Sequence, residues 1–242
     1  MEKVRVTYKN NVKEFPKGTT YFEISEDFAV KEDILAVEID NVIYHLSDKV
    51  REDCSIRFID LSDDMGNKIY KNSIKFLFEV ALKRTLNNAE VFYEHSVPKG
   101  VVASIIYENE ISYNDLNNIK REMYNLVSDN YPIKKYTILK SEAIEYYKKN
   151  NYEEKALNVQ HISDKVVTLF ELDGYFNYFY TSMAYNTGVL KKYEIKSIGR
   201  NKIIIIPPDK HGNIPDYSNC HNIINSFYRG KCLLNDLNIN YL

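Results

Sequence analysis

One stretch limits the fold before any other. Between residues 68 and 86, Ile69, Ser73, Phe76, Leu77, Val80 and Ala81 recur at helical spacing and give a long helix one apolar face. Such a face has to be covered, and the segments around it offer cover in short pieces. Ahead of it, Val4, Val6 and Tyr8 alternate with polar residues as in a half-buried strand. Lys9-Asn10-Asn11 turns the chain, since Asn tolerates a positive φ, and a second strand runs over 12–15. Pro16, Lys17 and Gly18 punctuate, and Thr19 or Thr20 can cap a short helix carrying Tyr21, Phe22 and Ile24. Strands over 34–39, 42–46 and 56–59 follow, with Asp40-Asn41 as a turn. Strand, strand, helix and three further strands are the order of a β-grasp, ubiquitin-like unit over residues 1–62.

Residues 62–67 (SDDMGN) are polar and contain Gly66, which makes them the best domain boundary. Beyond the long helix, strands are expected over 90–94, 101–107, 166–172, 175–181, 190–196 and 202–206, with an extended piece over 133–139. Ser112 with Asp115 forms a capping pair for a helix over 113–128, and Ser141 can cap another running to Tyr147. Pro207-Pro208 ends the sheet, and the pattern weakens over 209–242, where a short helix fits 220–228. The fold class is α+β: a β-grasp followed by a larger α+β domain over 63–208 and a tail.

Composition narrows the function classes. With 44% hydrophobic residues in 242 the chain can bury a core. A formal charge of −2 argues against a dedicated nucleic-acid binder, which would be basic overall. Cys54, Cys220 and Cys232 are odd in number, widely spaced and form no CxxC, so a reducing, cytoplasmic setting fits better than a disulfide framework or a zinc site. The start lacks the apolar core of a signal peptide, and the apolar run Ile203 to Ile206 is far too short for a membrane span. GxxxxGK(S/T), GxGxxG and HExxH are all absent.

The motifs together resemble a known pairing of domains. FPKGTTYFEIS (15–25), ILAVEIDNVIYHLSDKV (34–50) and CSIRFIDLSDDMGNKIY (54–70) resemble the TGS domain at the front of threonyl-tRNA synthetases. NSIKFLFEVALKR (72–84), FYEHSVPKG (92–100) and GYFNYFYTSMAYNTGVLKKYEI (174–195) resemble the second additional domain of the same enzymes, which edits mischarged tRNA. DMGNKIY, EHSVPKG and TSMAYNTGVLKKYEI resemble uridine-kinase-like (nucleoside kinase) proteins in particular, and that resemblance places a P-loop kinase domain after residue 242.

The resemblance implies an editing site built from an HxxxH pair on the first helix and a later Cys and His. Imidazole and thiolate suit proton transfer near neutral pH, and residues four apart share a helix face. Those four positions fall here on Asn72, Phe76, Met183 and Thr187, none of which is a general base at pH 7. Loss of editing hydrolysis is therefore expected, with no cofactor and no metal. Candidates for a retained ligand-binding role are His95, Ser96 and Lys99 in the EHSVPKG stretch, Tyr178, Tyr180 and Asn186 in the later stretch, and Lys191 and Lys192. Lys191, Lys192, Lys196, Arg200 and Lys202 face a single Glu194 in the sequence, and the neighbouring rings could stack on bases. Expected partners are a nucleotide or an RNA 3′ end, and a kinase domain in the parent protein. A fragment of an ATP-dependent nucleoside (uridine) kinase whose P-loop domain is missing from this chain, and a tRNA-editing-like hydrolase with an altered site, are the alternatives.

Overall fold

The structure is a computed structural model that describes residues 2–30, 33–97, 100–150 and 152–217, the side chains of 95–97 excepted. In the front of the chain, β1 (Lys3–Tyr8), β2 (Asn11–Pro16), α1 (Tyr21–Asp27), β3 (Ala36–Ile39), β4 (Val42–Tyr44) and β5 (Cys54–Ile59) follow one another. The five strands form one sheet in the order β2-β1-β5-β3-β4, with β1 and β5 parallel at its centre and the outer pairs antiparallel. Val4, Val6, Ile24, Val37 and Ile56 are buried between this sheet and α1. Thr20 caps α1: its hydroxyl accepts from the Glu23 N–H at 3.2 Å, and the Glu23 carboxylate accepts from the Thr20 N–H at 2.8 Å. This reciprocal cap is worth about 1 kcal/mol. The β3–β4 turn holds Asp40 and Asn41 at φ 50° and 64°, as a two-residue hairpin requires. At the β1–β2 turn the left-handed residue is Lys9 (φ 53°), not an asparagine.

The rest of the chain runs α2 (Asp64–Thr85), β6 (Glu90–Val97), β7 (Gly100–Ile106), α3 (Tyr113–Ser128), β8 (Lys134–Leu139), α4 (Lys140–Lys149), α5 (Glu153–Gln160), β9 (Val166–Leu172), β10 (Tyr175–Tyr178), a 3₁₀ turn (Thr187–Val189), β11 (Glu194–Gly199) and β12 (Lys202–Ile206). One antiparallel sheet has the order β11-β12-β7-β6, another β10-β9-β8. α2 lies at the centre. Ile74, Phe76, Leu77, Phe78 and Val80 are fully buried among Ile119 and Met123 of α3, Phe170 and Leu172 of β9, and Ala103, Ile203 and Ile205 of the four-stranded sheet. α4 and α5 close the three-stranded sheet through Tyr147, Ala156, Val159, Val167 and Leu169. Among the described residues no helix is long and apolar enough to cross a membrane.

Several local expectations change. α2 begins at Asp64 rather than near 68, because the polar SDDMGN stretch is fixed: the Arg57 guanidinium holds Asp63 at 2.6 Å, and Gly66 sits inside the first turn. A Cβ at Gly66 would lie 1.7 Å from the Asp60 carbonyl oxygen, so it is a close-approach glycine and not a turn glycine. Ser141 does not cap α4; the helix starts earlier, and the Glu142 carboxylate takes the Leu139 N–H at 3.1 Å. α5 was not expected at all. The expected strand over 190–196 begins only at Glu194, because the Tyr70 hydroxyl occupies the backbone of Lys192, accepting from its N–H at 2.9 Å and donating to its carbonyl at 3.2 Å. The helix expected over 220–228 lies outside the described residues.

The front sheet is seated on the rest of the chain. Leu35, Ala36 and Ile59 belong to the core around α2. Phe22 of α1 stacks on Tyr185 with ring centroids 4.4 Å apart, and Lys135 of β8 pairs with Asp48 at 2.7 Å. His45, expected on a strand, lies just past β4 in this seam, 1% exposed and beside the rings of Phe170 and Tyr185. Its Nδ1 accepts from the Ser47 N–H at 3.2 Å and is hydrogen-bonded to the Ser47 hydroxyl at 2.7 Å, and its Nε2 faces the Ala184 carbonyl without the geometry of a full hydrogen bond. Burial lowers its pKa to about 4, against the pull of Asp48.

Candidate functional site

The amphipathic pattern of α2 leaves Asn72, Lys75, Glu79 and Lys83 on the side away from the densest packing, one helical face at spacings of three and four. That face is walled rather than open to solvent. β6 and the end of β7 stand on one side (Phe92, Tyr93, Ile106), α5 on another (Tyr152, Lys155, Asn158), and the strand of β10 with its continuation closes the third (Asn177, Tyr178, Phe179, Tyr180). Together they bound a cleft of about 500 Å³.

A hydrogen-bonded group forms the floor. Glu79 is 4% exposed, yet both its carboxylate oxygens are satisfied: Oε1 by the ammonium of Lys155, Oε2 by the Asn177 amide at 2.6 Å. Buried charge is tolerated in this fully paired form. Lys83 places its ammonium 4.0 Å from the centre of the Tyr152 ring and donates to its hydroxyl. The Lys75 ammonium lies 5.2 Å from the centre of the Tyr93 ring, and burial lowers its pKa. The Tyr93 hydroxyl donates to the Lys75 carbonyl, and burial holds it well above the usual phenol range. At the mouth, Tyr180 is 87% exposed and meets Tyr178 edge to face at 5.0 Å.

The four positions aligned with the editing motif do not converge. Asn72 lines the cleft and donates to the Thr181 hydroxyl at 2.7 Å. Phe76 is fully buried and packs on Phe179 at 5.4 Å. Met183 is buried with its sulfur 4.0 Å from the Ser73 hydroxyl, and the Thr187 hydroxyl is spent on the Leu126 carbonyl of α3. The expected cleft of amide, phenyl, thioether and hydroxyl groups is thus reduced to the amide; the other three are core. Of the binding candidates, Tyr178 and Tyr180 share the cleft with Asn72. Asn186 bridges to Pro132 elsewhere, beside α3. His95 and Ser96 fall on β6 with side chains outside the described set, and Lys99 lies outside the described residues.

The basic run proves to be neutralised mostly by carboxylates outside its own sequence. Lys191 pairs with Asp33 at 3.4 Å, Lys196 with Glu194 at 3.1 Å, Arg200 with Glu110 at 3.8 Å and Lys202 with Glu94 at 3.1 Å. Lys192 donates to the Gly212 carbonyl at 2.9 Å. It is a set of cross-links, and Lys191 and Lys192 line a different pocket, of about 510 Å³, between the front sheet and the 3₁₀ turn. Lys75, Glu79, Lys83, Tyr152, Lys155 and Asn177 also line the cleft and are not among the candidates expected from the sequence. The first three were visible as a polar helix face, and the rest depended on α5 and on the fold.

In sequence, most of the chain is similar to aminoacyl-tRNA synthetases of one specificity: it carries a threonyl-tRNA-synthetase-like region. No family model matches it. It is 26% identical over 192 residues to a threonine–tRNA ligase of Carboxydothermus hydrogenoformans, covering 78% of this chain and 30% of that protein. A threonine–tRNA ligase of Thermotoga neapolitana is 26% identical over 189 residues, covering 77% and 29%. That of Acetivibrio thermocellus is 21% identical over 199 residues, covering 81% and 31%. The chain therefore spans about three tenths of the length of these relatives. They give the uridine-kinase resemblance no support.

Proposed function

We propose that this chain is a binding module derived from a synthetase editing region, holding a nucleotide or the 3′ end of an RNA in the cleft beside α2 without hydrolysing it. In this reading residues 1–62 are a TGS-type β-grasp, 63–208 the editing-like domain, 209–242 a tail, and the setting is cytoplasmic. The sheet order β2-β1-β5-β3-β4 with a parallel central pair supports the first assignment. The relatives' names support the tRNA connection. The observation that carries the binding reading is the cleft's inventory. It has two stacking rings at its mouth, Tyr178 and Tyr180, amides and ammonium groups within, its one buried carboxylate, Glu79, fully paired and its other glutamates at the exposed rim, and no imidazole or thiol among its described lining residues. Stacking a base on such a ring is worth roughly 1–3 kcal/mol.

The test combines calorimetric titration of the full chain with AMP and with deacylated tRNA, and a deacylation assay on mischarged tRNA. Saturable binding with deacylation at the uncatalysed rate is the expected result. Turnover that disappears in His95→Ala would replace the binding reading with a hydrolase, and no heat at millimolar ligand and low salt would remove it.

A further inference from the structure

Lys75 stands apart from the other cations of the cleft. Lys155 is spent on Glu79, and Lys83 on the Tyr152 hydroxyl and ring. Lys75, one turn from Glu79 on the same helix, finds that carboxylate already occupied by Lys155 and Asn177. Among the described residues its ammonium has neither an ion pair nor a hydrogen bond, only the face of Tyr93 at 5.2 Å. An ammonium carries three donors, and a partly buried one with all three unspent is costly until an anion meets it. Its lowered pKa is the same cost expressed as a proton equilibrium. The remaining charge of the lining sets the opposite limit. Three lysines face four glutamates, and Glu90, Glu153 and Glu154 are exposed at the rim. A ligand carrying several phosphates would meet those carboxylates.

We propose that Lys75 makes this cleft a reader of one anionic group, so that its ligand is a nucleotide bearing a single phosphate, with the base on Tyr178 and Tyr180 and the phosphate on Lys75. This rests on the binding reading above and adds to it the class of ligand. The full chain is titrated by calorimetry with adenosine, AMP and ATP, and the titrations are repeated with Lys75→Met and Lys75→Arg. Both variants are first checked for an unchanged unfolding midpoint. The wild type should bind AMP at least tenfold more tightly than adenosine, and ATP no more tightly than AMP. Lys75→Met should bind adenosine and AMP equally, with adenosine affinity as in the wild type, and Lys75→Arg should keep the preference for AMP. Adenosine and AMP binding within twofold in the wild type, or a preference that survives in Lys75→Met, would overturn the role of Lys75 while leaving the binding reading intact. ATP binding more tightly than AMP would overturn the single-charge limit. Failure of all three ligands to bind would overturn the single-phosphate nucleotide, and would remove the binding reading as well where deacylated tRNA also gives no heat.

Discussion

The two sides of α2 follow opposite rules. On one side Phe76, Leu77 and Val80 are fully buried in a shared core, and a motif position that could have carried an imidazole is filled with hydrocarbon. On the other, a few ångströms of helix away, Asn72, Lys75, Glu79 and Lys83 keep polar chemistry in a walled cleft. The motif spacing of four residues straddles the border between the two faces: Asn72 lines the cleft, and Phe76, one turn on, is buried against the Phe179 ring. What remains beside α2 is thus a differently furnished cavity. A packed phenyl is not a neutral stand-in for a histidine; it commits that part of the helix to stability.

The largest test of this contrast is substitution to alanine on each side. Phe76→Ala should cost about 3–5 kcal/mol through the cavity left behind, whereas Asn72→Ala should cost about 1 kcal/mol, both read from urea unfolding. Equal costs would erase the distinction between the faces. Glu79 is the exception on the polar side, being both charged and buried. Glu79→Gln should cost on the order of 1.5–3 kcal/mol, because it loses the charge-assisted bond to Lys155. A loss below half a kcal/mol would mean that the floor group is not held as described. The smallest effect belongs to Lys83→Met, which forfeits the Tyr152 contact and should shift stability by about 0.5–1 kcal/mol.

Legibility in the sequence followed locality. The cap of α3 was readable because Ser112 and Asp115 make their bonds within one turn, and α3, β9 and β12 run over the expected residues. α5 escaped because only Ala156 and Val159 of its residues are buried, too few to mark a period. The start of β11 escaped because a side chain 122 positions away, the Tyr70 hydroxyl, takes the backbone of Lys192. The cleft was half legible: Asn72, Tyr178 and Tyr180 were named, but a polar helix face reads alike whether water or a wall lies opposite. The basic run misled for the mirror reason, since Asp33, Glu94 and Glu110 are remote in sequence and near in space.

The segment that leads from β10 to the 3₁₀ turn is pinned at several points beyond Tyr180. Thr181 is held by Asn72, the Ala184 N–H by Ser73, Asn186 by its bridge to Pro132 and Thr187 by Leu126, while Phe22 of the front sheet lies flat on Tyr185. Severing the chain ahead of α2 would therefore not yield a tidy rear half. It would strip the aromatic lid from Tyr185 and bare the flank of α2 that Leu35, Ala36 and Ile59 now cover, leaving a sticky remnant. For anyone dividing this protein for expression, the two parts are best kept as one piece.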